Sequence, residues 1–275
     1  MRPSSAIFTI LGEHLRHLGM EVWVGTLIQC LGQFGISEGA VRVTLSRMSQ
    51  QGWVESRKIG QKSFYRLTEK GQKRIAEGLR RVYHQKETQW DGQWRIVMYT
   101  IPETMKDIKD QLRKELTWTG FGYLGNNVWI SPHNLYSQVM EIIEEHQLHH
   151  YVDVYTARYE GPQSNRELVH KAWDLAYIDQ AYQSFLDQFE PMYEKLYQLE
   201  VSGKLTDPEA FKGRIQLVHQ FRKFLFIDPK LPQELLPSDW IGERADRFFQ
   251  QFHQFLTPKA EKYFYSCLVT PEDEE

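Results

Sequence analysis

Cysteine is scarce in this 275-residue chain, and its two copies, Cys30 and Cys267, lack any metal-ligand spacing. Neither needs to be more than a small core residue, and a reduced compartment fits them. No run of 18 apolar residues occurs, and no signal-peptide core, which argues against a membrane span and against secretion. A GxxxxGK[ST] phosphate loop is missing, and no sequence elbow singles out a nucleophilic Ser or Cys. The expectation is a cytoplasmic protein with no cofactor and no catalytic residue.

What the chain does have is 41% hydrophobic and 25% charged residues, enough for a globular protein of two or three domains. Its net charge of −3 hides an asymmetry. Residues 1–92 carry 14 Lys and Arg against 8 Asp and Glu, whereas the remainder carries 19 against 28. A basic head on an acidic body can approach phosphates while the body stays off them.

Within that head, Gly35 to Lys58 reads as a turn, a short helix, a glycine stop and a strand. Ser37 is a good N-cap, and Glu38 suits the positive end of the helix dipole. At about 100° per residue, Val41, Leu45 and Met48 form one stripe, while Arg42, Val43, Ser46, Arg47 and Gln50 spread over the other side. Arginine can fork onto guanine, and Thr44 and Ser46 can reach phosphates or base edges. A basic helix alone would pass for an ordinary surface helix, but its surroundings decide otherwise. Upstream, Trp23 to Phe34 forms a first helix with Leu27, Ile28 and Leu31 at core spacing, and Gly35 permits the turn. Downstream, Gly52 to Lys58 and Ser63 to Leu67 make a hairpin around Ile59 to Lys62, whose tip brings Arg57, Lys58 and Lys62 to phosphates. The pattern is that of a winged helix-turn-helix on double-stranded DNA.

The order along the whole chain is α+β. A helix near Ser5 to Leu18 opens the head. Thr68 caps a helix with Ile75, Leu79 and Val82 as its stripe, and a polar linker runs from His84 to Gly92. Then come a strand from Trp94 to Ile101, a helix from Lys106 to Leu116, a hairpin from Tyr123 to Ile130 turning through Gly125-Asn126, a helix from Asn134 to Leu148 and a strand from Tyr151 to Tyr159. The sequence β-α-β-β-α-β is the ferredoxin-like split βαβ. From Asn165 onward the chain is helical and aromatic, with a proline-bound connector from Asp228 to Pro237 and a frayed tail from Thr270. The domains are expected at 1–85, 93–160 and 165–275.

The run Gly39-Ala-Val-Arg-Val-Thr-Leu-Ser-Arg-Met48 followed by Gly52-Trp53 resembles the PaaX family of bacterial transcriptional repressors of phenylacetic acid catabolism. So do Arg222, Asp228-Pro229, Leu231-Pro232, Leu235-Leu236-Pro237, Trp240 and Gly242. The resemblance implies a winged helix, a central domain similar to the Cas2 fold and a helical C-terminal domain. It also implies an aryl-CoA thioester, such as phenylacetyl-CoA, as the releasing ligand. The CoA end would need positive charge; Arg214, Arg222 and Lys223 are the nearest cluster, with Trp240 beside them in the signature. Arg222 could equally be structural, pairing with Asp228. A homodimer follows from mechanism, since one winged helix offers a short interface and two-fold operators multiply affinity.

The alternative is a Cas2-like nuclease or RNA-binding protein. Such nucleases place a metal-binding aspartate at the end of the first strand, where this chain has Thr100, a poor Mg²⁺ ligand. The histidines at 146, 149 and 150, with His133 nearby, are the one cluster that could bind Zn²⁺, at a helix end where surface histidines are common. The aromatic stripes at 175–197 and 248–265 suit a core, and a minority of those rings could wall an aryl pocket.

Overall fold

The computed structural model describes residues 1–14, 21–83 and 89–271, with the backbone alone for 80–83. Positions 15–18 of the opening helix, the Val82 side chain, positions 84–88 of the linker and the last four residues of the tail lie outside the described residues. The chain packs as two compact units. One takes 1–85, 185–222 and 244–275; the other takes 86–184 and 223–243. Among the described residues, no helix is long and apolar enough to cross a membrane.

The first unit begins with α1 (Pro3–His14), β1 (Val22–Trp23), α2 (Val24–Gly32) and α3 (Glu38–Gln50). The strands β2 (Val54–Ile59) and β3 (Lys62–Leu67) and the helix α4 (Glu69–Tyr83) follow. The three strands form an antiparallel sheet in the order β1-β3-β2. Trp23 pairs with Phe64 as a strand residue, so the helix expected to begin there starts one residue later. Gly35 adopts φ of 71°, a left-handed turn closed to residues with a Cβ except under strain. Val41, Leu45 and Met48 point inward and meet Leu27, Cys30 and Leu31 of α2 and Ala6, Ile7, Ile10 and Leu11 of α1. Fully burying each of the larger aliphatic side chains contributes roughly 1.5–3 kcal/mol. Thr68 caps α4, its hydroxyl accepting from the Gly71 N–H at 3.1 Å and donating to the Gly52 carbonyl at 2.6 Å.

The second unit holds β4 (Trp94–Tyr99), α5 (Lys106–Thr119), β5 (Gly122–Gly125), β6 (Val128–Ser131), α6 (Tyr136–Glu145), β7 (Val152–Ala157) and α7 (Asn165–Ala172). The strand order is β5-β6-β4-β7, antiparallel throughout, the topology of the split βαβ. Val97, Tyr99, Leu112, Leu116, Trp129, Val139 and Ile143 form the core between the sheet and α5 and α6. The β5–β6 hairpin turns through Asn126 and Asn127, at φ of 51° and 61°, one residue beyond the expected Gly125-Asn126. Asparagine tolerates this region, which a tight two-residue hairpin requires. Strand β4 stops at Tyr99 instead of Ile101, and β7 at Ala157 instead of Tyr159.

The remaining helices are α8 (Leu175–Val201), α9 (Asp207–Phe221) and α10 (Gly242–Cys267). The helical stretch from 165 is divided between the units. In the second unit, the connector after Asp228 docks by its Pro229 carbonyl, which lies 3.1 Å from His133 Nε2. Trp118 and Phe226 pack there with ring centroids 4.8 Å apart. In the first unit, α9 and α10 add Phe211, Ile215, Ala260, Phe264 and Cys267 to the core of α1, α2 and α3. A capping box starts α9: Thr206 Oγ1 accepts from the Glu209 N–H, and the Glu209 carboxylate accepts from the Thr206 N–H at 3.0 Å.

Candidate nucleic-acid interface

Helix α3 starts where its sequence provides an N-cap: Ser37 Oγ accepts from the Ala40 N–H at 3.3 Å, leaving the hydroxyl proton exposed. With the inward stripe fixed by burial, Arg42, Val43, Ser46, Arg47 and Gln50 share an exposed arc of about 140° at 100° per residue. Val43 is 53% exposed on the same arc. Arg42 makes a surface ion pair to Glu38 at 2.9 Å, one turn back. Arg47 has no ion pair among the described residues. Thr44 departs from expectation. It sits half-buried beside the inward stripe and donates its hydroxyl to the Ala40 carbonyl at 2.6 Å, so its hydroxyl proton is already engaged.

The β2–β3 hairpin divides its cations. Arg57 and Lys58 are neighbours in sequence, but successive strand residues leave on opposite faces. Arg57 forms an ion pair with Glu21, and Arg66 reaches Glu55 at 2.7 Å and Glu21 at 3.9 Å. Lys62 stands 4.8 Å above the Trp23 ring. Lys58, opposite Ser63, is exposed and has no ion pair among the described residues. Arg66 and Glu21 were not singled out by the sequence, because their meeting depends on the β1–β3 and β2–β3 pairings.

The residues considered for an effector fall in both units. Arg214 is 3% exposed and enclosed by acid: Nε and Nη2 each lie 3.1 Å from Glu13 Oε2, and Nη1 lies 3.5 Å from Glu261 Oε1. His253 Nε2 is 2.8 Å from the same Glu13 oxygen. This arginine is already neutralised and closed off, which corrects its assignment as a phosphate anchor. Arg222, the residue after α9, donates to Ser5 Oγ, and burial lowers its pKa. Both arginines belong to the first unit. In the second, Lys223 is exposed, while Trp240 is half-buried and sets its ring edge-on to Tyr182 at 6.1 Å. Asp228, offered by the sequence as a partner for Arg222, is held instead by the Tyr182 hydroxyl and by Lys230 Nζ at 3.3 Å.

Thr100 is exposed and donates its backbone N–H to the Tyr151 carbonyl at 2.8 Å. His149 pairs with Glu144 at 3.1 Å. Among the described residues, no three His, Cys, Asp or Glu side chains are grouped to hold a metal ion.

Family models match the chain in three consecutive stretches. Residues 2–71 match PaaX-like protein, 87–169 the PaaX protein central Cas2-like domain, and 173–266 the PaaX-like protein C-terminal domain. The transcriptional repressor PaaX of Escherichia coli is 30% identical over 262 residues, 94% of this chain and 81% of that protein. The chain belongs to the PaaX family. Membership places it among transcriptional regulators and not enzymes, which overturns the nuclease alternative for its Cas2-like domain. A solved structure of the uncharacterized protein Rv0674 from Mycobacterium tuberculosis aligns with a TM-score of 0.57 at 25% identity, covering 95% of this chain and 98% of that one.

Proposed function

We propose that this PaaX-family chain is a winged-helix repressor of an aromatic (phenylacetate) catabolic operon, acting in the cytoplasm as a homodimer. The observation that carries the reading is the exposed arc of α3, where Arg42, Val43, Ser46 and Arg47 stand together behind a Ser37 N-cap. In this reading α3 enters the major groove, its arginines read guanine edges, and Ser37 donates to a phosphate. The β2–β3 hairpin is the wing, with Lys58 the cation best placed to meet the backbone. The relative's printed name, a transcriptional repressor, supports the direction of control.

The effector of this reading is an aryl-CoA thioester such as phenylacetyl-CoA, which lowers operator affinity. With Arg214 closed off, Arg222 in the first unit and, separately, Lys223 and Trp240 in the second remain candidates. Linkage makes the effect reciprocal: a ligand that weakens operator binding tenfold binds the DNA-bound protein tenfold more weakly, about 1.4 kcal/mol of coupling. The test is operator release titrated with phenylacetyl-CoA, phenylacetate and CoA separately. Release by the thioester alone is expected; equal release by the free acid would remove CoA recognition from the reading.

A further inference from the structure

We propose that Arg222, Ser5 and His219 form an oxyanion site in the first unit, built to take a phosphate group of a ligand. The contrast with Arg214 carries the argument. Arg214, eight residues earlier and within α9, is matched by Glu13 and Glu261. Arg222 is half-buried, and its one side-chain partner among the described residues is the Ser5 hydroxyl, a neutral group. A guanidinium carries five N–H donors, and one hydroxyl takes up one of them. Partly withdrawing a cation from water with no countercharge among the described residues is unfavourable, and burial lowers the pKa of Arg222.

The neighbours suit an anion as the missing group. Ser5 Oγ lies 3.4 Å from His219 Nδ1, so a hydroxyl and an imidazole stand beside the guanidinium. Ser5 belongs to the first turn of α1, a 12-residue helix with no acidic residue in that turn. The positive end of that helix therefore adds to the site without being its basis. A phosphate offers two oxygens to the arginine fork and a third to the Ser5 hydroxyl, replacing the Ser5–Arg222 bond. Because α1 shares its core with α2 and α3, the anion would be gripped partly by the DNA-reading head.

This inference rests on the proposed effector only for the source of the phosphate, and two probes separate the questions. Calorimetry on the full chain uses inorganic pyrophosphate and phenylacetyl-CoA, with Arg222→Gln, Arg222→Lys and Ser5→Ala as variants. The expected result is at least a tenfold loss of pyrophosphate binding in Arg222→Gln, a partial loss in Arg222→Lys and a smaller one in Ser5→Ala. If Arg222→Gln does not fold, the other two variants carry the comparison. Pyrophosphate binding that depends on Arg222, with none of phenylacetyl-CoA, keeps the site and removes the aryl-CoA effector. Phenylacetyl-CoA binding that is indifferent to all three substitutions keeps the effector and overturns the site. No pyrophosphate binding by the parent overturns the site as well.

Discussion

The outer face of α3 and the seam where α1 meets α9 and α10 both depend on arginine, in opposite ways. On α3, Arg42 and Arg47 are exposed, and removing either would leave the core intact. At the seam, Arg214 and Glu13 are both buried, with His253 against the same carboxylate. The first pair of arginines is available to a partner; the third is part of the protein's own framework. A basic residue in a sequence counts toward binding only after its internal partners have been subtracted.

The largest expected effect lies at the seam. Arg214→Ala takes the guanidinium from the buried Glu13 carboxylate, leaving His253 against it, and should destabilise the fold by up to about 3–5 kcal/mol, read by denaturant unfolding. Pairing it with Glu13→Gln should recover part of that loss. A change below 1 kcal/mol would mean the seam is wet and the comparison fails.

On α3 the prediction reverses. Arg42→Ala or Arg47→Ala should cost roughly 1–3 kcal/mol of operator affinity and relax specificity at one base, with stability unchanged. Parent-like operator binding by the folded double variant would mean that another surface reads the DNA.

The hairpin gives a finer version of the same contrast. Lys58→Ala should flatten the salt dependence of DNA binding by about one unit of slope. Arg57→Ala should flatten it less, because Glu21 already offsets its charge. Equal slopes would show that the Glu21 pair opens on binding.

The smallest effect concerns the start of α9, the helix that carries Arg214. The Thr206 hydroxyl and backbone N–H hold the Glu209 carboxyl below its ordinary value of 4.5. A carboxylate with a depressed folded pKa contributes stability that is complete above the ordinary value and is lost as pH falls through the depressed one. Glu209→Gln should therefore melt slightly below the parent at neutral pH, and the two should converge in acid. A gap that widens in acid would contradict the capping role.

Much of this was legible in the sequence because it is local. The Ser37 cap, the Val41-Leu45-Met48 stripe, the Gly35 turn and the βαββαβ order all come from period, capping and turn chemistry within short windows. The misses are long-range. Trp23 became a strand residue because it pairs with Phe64, 41 positions on. Arg214 looked like a free cation until Glu13, 201 positions away, was found against it. A separation of 217 positions hid Arg222 beside Ser5. Helical periodicity shows which side of α9 is apolar, but not which acid from another helix will face its arginine.

The last described residues have a consequence for synthesis. The Val269 carbonyl accepts from the Trp23 N–H at 3.1 Å, and the Thr26 hydroxyl donates to the Cys267 carbonyl at 2.8 Å. The unit that holds α1 to α3 is thus completed by residues some 240 positions beyond their partners in it. Of the elements sharing its core, α10 is translated last, and it contributes Ala260, Phe264 and Cys267. A chain cut before α10 lacks these core residues and is expected to hold α3 less firmly, on whatever surface α3 works.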